Sequence, residues 1–146
     1  MKRISELILV IALLLTALPA DNTNLPQCNN QSTCVNDKNF YVEVKCVVKR
    51  GDIYIVQLEF RGKTSGNYHM VFTRNSFKGY ASILDAKGNE FIIPGDQISD
   101  FYMEQGDKKV VSFKFKGDEK KKIAEPFDLT IKTKDDEFTL FDLKGK

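Results

Sequence analysis

The chain contains no tryptophan, a single histidine and only four prolines among its 146 residues. One imidazole leaves a Ser/His/Asp or Cys/His arrangement a single place to be built, around His69. The lack of tryptophan weakens a carbohydrate-binding reading, although Tyr41, Tyr80 and Tyr102 remain as stacking surfaces. Beyond residue 20 there is no apolar run long enough to span a bilayer, no repeat of fixed period and no amphipathic helical stretch of useful length. A formal net charge of +2 gives no electrostatic footprint for nucleic acid.

What is present begins with a targeting pattern. Met1, Lys2 and Arg3 precede an apolar stretch from Leu7 to Leu18, and Thr16, Ala17, Leu18, Pro19 and Ala20 supply a small-residue exit. This is the layout of a secretory signal peptide over residues 1–20, with cleavage expected after Ala20 or, alternatively, Ala17. The apolar stretch is shorter than the ~20 residues a membrane-spanning helix needs, so no stable membrane anchor is expected after cleavage. Cys28 follows the bulky Gln27, which argues against a lipidation site there. Removal of residues 1–20 takes away Lys2, Arg3 and Glu6 and lowers the formal net charge from +2 to +1.

Three cysteines in an exported chain raise the question of a disulfide, and the odd count leaves one over. Cys28 and Cys34 lie in a polar leader, residues 21–38, and a loop closed between them would order that stretch. Cys46 shares the phase of Val42, Val44 and Val48 in a strand pattern, so it is expected to face the core as a free, buried thiol. The competing connectivity ties Cys28 or Cys34 to Cys46.

From Asn39 onward apolar residues recur with period two, the mark of half-buried strands. Phe40, Val42, Val44, Cys46 and Val48 form one face of a first strand, with Tyr41, Glu43, Lys45 and Lys49 on the other. Arg50, Gly51 and Asp52 make a tight turn into Tyr54, Val56, Leu58 and Phe60. Further strands are expected around Tyr68–Phe72, Tyr80–Leu84, Glu90–Ile93, Ile98–Met103, Val110–Phe115, Phe127–Thr133 and Glu137–Leu143, with one helical turn over Lys120–Glu125. Short strands separated by turn residues predict an all-β fold, a β-sandwich of seven or eight antiparallel strands spanning residues 39–146.

The run Leu84, Asp85, Ala86, Lys87, Gly88, Asn89, Glu90, Phe91, followed by Gln105, Gly106, Asp107 and the strand Val110–Phe115, resembles the small immunoglobulin-like sandwiches of bacterial exported proteins and lipoproteins. The resemblance covers about Phe40 to Leu143 and rests on turn chemistry and sandwich periodicity. It implies an immunoglobulin-like fold and a binding, spacing or assembly role outside the cytoplasm, and it implies no reaction.

The expected function is therefore an exported, non-catalytic binding or assembly module, periplasmic or extracellular, whose partner is another protein of the envelope or extracellular space. No catalytic residue, metal ligand or cofactor is implied. The partner-binding face is expected at the outward residues Tyr41, Lys45 and Lys49, with Tyr41 as the aromatic anchor. One alternative is copper handling by His69, Met70 and Met103, whose imidazole and thioethers suit that metal, although neighbours on a strand point to opposite faces. A second alternative is a small secreted hydrolase. Arg50-Gly51-Asp52 spells an integrin-recognition tripeptide, yet the same residues suit a tight turn. Asn30, Gln31 and Ser32 form a glycosylation sequon that matters only in a eukaryotic source. The lysines between Lys116 and Lys122 are interrupted by Asp118 and Glu119 and suit a solvated loop or a guarded sheet edge.

Overall fold

In the computed structural model, residues 33–72, 80–93 and 98–146 are described. The signal pattern at residues 1–20 and Cys28 lie outside them. Ten strands run in chain order: β1 (Cys34–Asn36), β2 (Phe40–Arg50), β3 (Ile53–Gly62), β4 (Tyr68–Met70), β5 (Ala81–Asp85), β6 (Glu90–Ile93), β7 (Phe101–Met103), β8 (Lys108–Lys116), β9 (Phe127–Lys132) and β10 (Glu137–Leu143). Sheet 1 has the order β1-β2-β3-β8 and sheet 2 the order β10-β9-β5-β6, while β4 and β7 form a two-stranded ribbon; all pairings are antiparallel. Of the ten, β2 to β10 overlap strand stretches expected from the sequence, whereas β1, three residues in the polar leader, carries no alternation that could mark it. Strand β1 also draws residues 34–36 out of the polar leader and into sheet 1.

The two sheets pack face to face because each strand turns every second side chain to the same side. From sheet 1, Phe40, Tyr54, Val56, Leu58, Phe60 and Phe113 are all but fully buried, and from sheet 2 so are Ile83, Phe127, Leu129, Ile131 and Leu140. Aromatic rings lock across the gap. Tyr54 and Phe127 stand edge to face at 5.3 Å, Phe115 and Phe127 at 5.4 Å, and Phe138 packs on both Phe40 (5.6 Å) and Phe60 (6.2 Å). Truncating such a ring costs about 3–5 kcal/mol.

The β2–β3 hairpin turns through Gly51 and Asp52, with Arg50 registered against Ile53. Gly51 carries φ +61°, the left-handed conformation that a two-residue hairpin requires and that glycine accepts without strain. Strand β2 is not regular, however. Val44 faces Leu58 and Cys46 faces Gln57, so Lys45 is an extra residue in a β-bulge. The bulge reverses the phase: Val47, not Cys46 or Val48, reaches the core, and Cys46 is half-buried on the outer side with its Sγ donating to Gln57 Oε1 at 3.3 Å. The expectation of a core-facing Cys46 is thereby corrected.

Residues 120–125 do not form a helical turn. Asp118 Oδ1 accepts the backbone N–H groups of Lys120 (2.6 Å) and Lys121 (2.8 Å), a local arrangement that competes with helix, and Pro126 follows a cis peptide bond at Glu125. The loop instead docks on the β5–β6 turn through Asp85. That carboxylate, 4% exposed, accepts hydrogen bonds from the backbone N–H groups of Lys87, Asn89 and Ala124 and from the Asn89 side-chain amide. Burial alone would raise its pKa, but the Asn89 side chain and the backbone N–H groups outweigh burial and hold it below the ordinary carboxylate value.

Asp85→Ala removes the acceptor shared by the turn and the loop, and denaturant titration should show a loss of about 3 kcal/mol. Because the folded pKa of Asp85 is depressed, its stabilisation is present above its unfolded pKa and lost as pH falls through the folded value. The variant should therefore show a shallower loss of stability than the parent below about pH 4. The half-buried Cys46 thiol should be alkylated by iodoacetamide in the folded protein, and peptide mapping that finds Cys46 unmodified would contradict its placement on the outer side.

Candidate functional site

The outer faces of the two sheets differ in chemistry. On sheet 1, one half of the face is a charge ladder formed by cross-strand neighbours of β2 and β3. Tyr41 stands opposite Arg61 and Glu43 opposite Glu59. Two carboxylates directly opposed would repel, and two cations resolve this. Arg61 Nε bonds Glu59 Oε1 at 2.6 Å while its Nη2 lies 3.5 Å from Glu43 Oε1, and Lys45 Nζ reaches Glu43 (3.3 Å) and Glu59 (3.5 Å). Glu59 is 8% exposed; burial pulls its pKa upward, yet Arg61, then Lys45 and Lys108, prevail and hold it low. Lys45 is raised, first by its hydrogen bond to Glu43 and then by the charge of Glu59.

The expected binding trio does not share this face. Tyr41 is 3% exposed, with its hydroxyl donating to Glu43 Oε2 at 3.1 Å, so it is a packed residue rather than a presented anchor. Lys45 is exposed on the ladder, whereas the bulge carries Lys49 to the opposite side, with Nζ 5.3 Å over the Tyr54 ring. There Tyr54 donates its hydroxyl to Glu125 Oε1 at 2.6 Å and Lys49 Nζ lies 3.4 Å from the same oxygen. These groups border a cleft of about 90 Å³ lined by Lys49, Gly51, Asp52, Tyr54, Lys122 and Ile123. Glu125 is held low chiefly by the Tyr54 hydroxyl, against burial and with help from Lys49, so the cleft wall is an internally paired knot. Arg50, Gly51 and Asp52 are exposed at the hairpin tip above it.

The candidate copper ligands are not brought together. Met70 and Met103 are both fully buried in the core, and His69 turns to the exposed side of the β4–β7 ribbon, stacked on Tyr102 with ring centroids 4.0 Å apart. Among the described residues no group of three or more His, Cys, Asp or Glu gathers in a metal-binding arrangement. The Cys28 end of the expected disulfide lies outside the described residues; Cys34 is buried and registered opposite Glu43.

The outer face of sheet 2 was not singled out from the sequence. Its centre carries hydroxyls: Ser82 on β5 is registered with Thr130 on β9, and Thr130 Oγ1 lies 2.9 Å from Thr139 Oγ1 on β10. Around these small side chains stand three large apolar ones, Leu84 (50% exposed), Ile92 (49%) and Phe141 (47%). Phe141 faces outward by alternation after inward Leu140, and a second bulge follows between Leu140 and Leu143, where Asp142 adopts φ +57°, its N–H is held by Asp128 Oδ1 at 3.0 Å, and Leu143 returns to the core. A depression of about 350 Å³ is lined by Ser82, Leu84, Glu90, Thr130, Lys132 and Glu137. The signal available in the sequence was phase: Leu84 and Ile92 are apolar at the outward positions of their strands, where the alternation calls for polar residues.

No family model matches the sequence, and no curated protein matches it. The fold does have a counterpart among solved structures. The crystal structure of the yjhA protein from Bacillus subtilis superposes on 76% of this chain and 96% of its own length, with a TM-score of 0.52 and 8% sequence identity. At that identity the likeness is one of fold.

Proposed function

We propose that this protein is an exported, non-catalytic binding or assembly module built on an immunoglobulin-like β-sandwich, and that its partner is another protein of the envelope or extracellular space. Export is supported by the charged, apolar and small-residue sequence of residues 1–20. The observation that carries the binding role is the outer face of sheet 2, where Leu84, Ile92 and Phe141 remain about half exposed and Leu84 borders a depression lined also by Ser82, Thr130, Glu90 and the Lys132–Glu137 ion pair. Apolar side chains in that setting gain by being covered, and a few large anchors usually dominate such contacts. The charge ladder of sheet 1, by contrast, has its carboxylates already engaged. The imidazole of His69 rests on an exposed tyrosine ring, which supports a role outside catalysis.

Photo-crosslinking from positions 84 and 141 in the producing cells tests this reading, with position 45 as control. A discrete protein adduct is expected from 84 and 141 and not from 45. Leu84→Asp and Phe141→Asp should each leave stability within about 0.5 kcal/mol of the parent and weaken partner binding by about 2 kcal/mol or more. His69→Ala should leave biological activity unchanged; loss of activity with an intact fold would favour the metal or hydrolase alternatives instead.

A further inference from the structure

Resting on the binding role proposed above, we infer that the outer face of sheet 2 receives a basic amphipathic helix of the partner protein, laid across the strands. The strand register sorts the outward side chains of this face into rows that cross the sheet from β10 to β6. Glu137 and Lys132, directly opposed, form the first row. Thr139, Thr130, Ser82 and Ile92 form the second, in which three small hydroxyl side chains make a low floor. In the third, Phe141 and Asp142 share the bulge opposite Asp128, and Leu84 lies between Asp128 and Glu90. Apolar and acidic groups therefore alternate along the third row. The depression of about 350 Å³ lies between the first row and the third, with Ser82 and Thr130 in its lining.

The charges of the face select its occupant. Lys132 is committed to Glu137, with Nζ 3.3 Å from Oε2. Among the described residues no cation is in ion-pair contact with Glu90, Asp128 or Asp142. Asp128 Oδ1 accepts the N–H of Asp142, which positions that carboxylate without neutralising it. A second copy is a poor occupant, because it would set this acidic face against another like it, and opposed like charges are destabilising. Lysine or arginine on the partner turns the same groups into intermolecular ion pairs, while Leu84 and Phe141, about half exposed, supply apolar contacts between them. The spacing points to a helix. Neighbouring strands are about 4.8 Å apart, so Phe141, Asp128, Leu84 and Glu90 follow one another at about that interval. Residues i, i+3, i+7 and i+10 of a helix share one side and rise in steps of about 4.5, 6 and 4.5 Å. Same-side residues of an extended segment are about 6.7 Å apart and fall out of step by the third contact. The helix that fits carries apolar residues at i and i+7 and cations at i+3 and i+10.

The test is a titration of the isotope-labelled full protein with an Ala- and Gln-rich helical peptide of about 18 residues carrying Leu at i and i+7 and Lys at i+3 and i+10. Three controls have the same length. One has Glu in place of Lys, one has the same composition with the lysines moved to the far side of the helix, and one carries a central proline that breaks the helix. The Lys peptide should shift amides of β5, β6, β9 and β10 and leave those of sheet 1 in place. Each control should bind about tenfold more weakly or worse. Glu90→Lys should weaken binding of the Lys peptide by about tenfold or more, and Glu90→Gln by less, with the amide spectrum of sheet 1 unchanged in both variants. Equal binding by any of the three controls would overturn the inference. So would shifts on this face that grow with protein concentration without peptide, since that outcome assigns the face to a second copy. Crosslinks from positions 84 and 141 without binding of the Lys peptide would overturn the inference and leave the sheet 2 face standing as a binding surface, whereas absence of both removes the two readings together.

Discussion

The interlock of aromatic rings between the two sheets is the constraint from which the other features follow. Tyr54, Phe115 and Phe127 at one end, and Phe40, Phe60 and Phe138 at the other, fill the space between the sheets with rings whose centroids lie 5.3–6.2 Å apart. Rings of this size tolerate few arrangements in a close-packed interior, so the register of β2, β3, β8, β9 and β10 is pinned by them. A one-residue slip would send every such ring to solvent. The outer faces, the loops and the edges are what this requirement leaves over for binding.

The bulge at Lys45 shows how the core governs even the surface. Strict alternation would carry Cys46 and Val48 inward and leave Lys49 outside, beside Tyr41 and Lys45. The extra residue instead brings Val47 under the core and carries Lys49 across to the Tyr54 side, where an ammonium over a ring and beside Glu125 is well placed. Lys45 is then free to lean back over Glu43 and Glu59. One irregularity thus splits what looks like a continuous charged face in the sequence into two separate ion-pair groups.

Most of the strand framework was legible because period-two alternation is a local property. The β2–β3 hairpin, β6 and β10 lie where the alternation and the Gly-containing turns place them. What escaped depends on distant neighbours. A bulge adds no sequence mark when the extra residue is a lysine amid alternating charges. Tyr41 reads as exposed because its strand phase is outward, yet it is packed and its hydroxyl is held by Glu43. The helical turn expected over Lys120–Glu125 loses to Asp118, whose carboxylate captures two backbone donors, and to the attachment of Ala124 at Asp85. Of the expected trio, Lys45 and Lys49 are both exposed but lie on opposite sides of β2 and Tyr41 is packed, while the outward phase of Leu84 and Ile92 becomes visible only once the inward residues of their strands are fixed by the opposing sheet.

The contrast between the two outer faces has a common electrostatic origin. On sheet 1 the cross-strand register opposes Glu43 to Glu59, a repulsion that only nearby cations can relieve, so Arg61 and Lys45 are drawn into fixed pairs. Their attraction is spent internally, and a partner approaching that half of the face meets groups that must first be separated. On sheet 2 the corresponding rows oppose hydroxyls, Ser82 to Thr130 and Thr130 to Thr139. Hydroxyls are small and impose no such demand, so Leu84, Ile92 and Phe141 stand clear of their neighbours. The Lys132–Glu137 ion pair of this face, at 3.3 Å, is exposed at its rim, and covering the apolar residues removes apolar area from water, worth about 25 cal/mol for each Å² buried. Of the two outer faces, the second is therefore the one on which association meets the smaller opposing free energy.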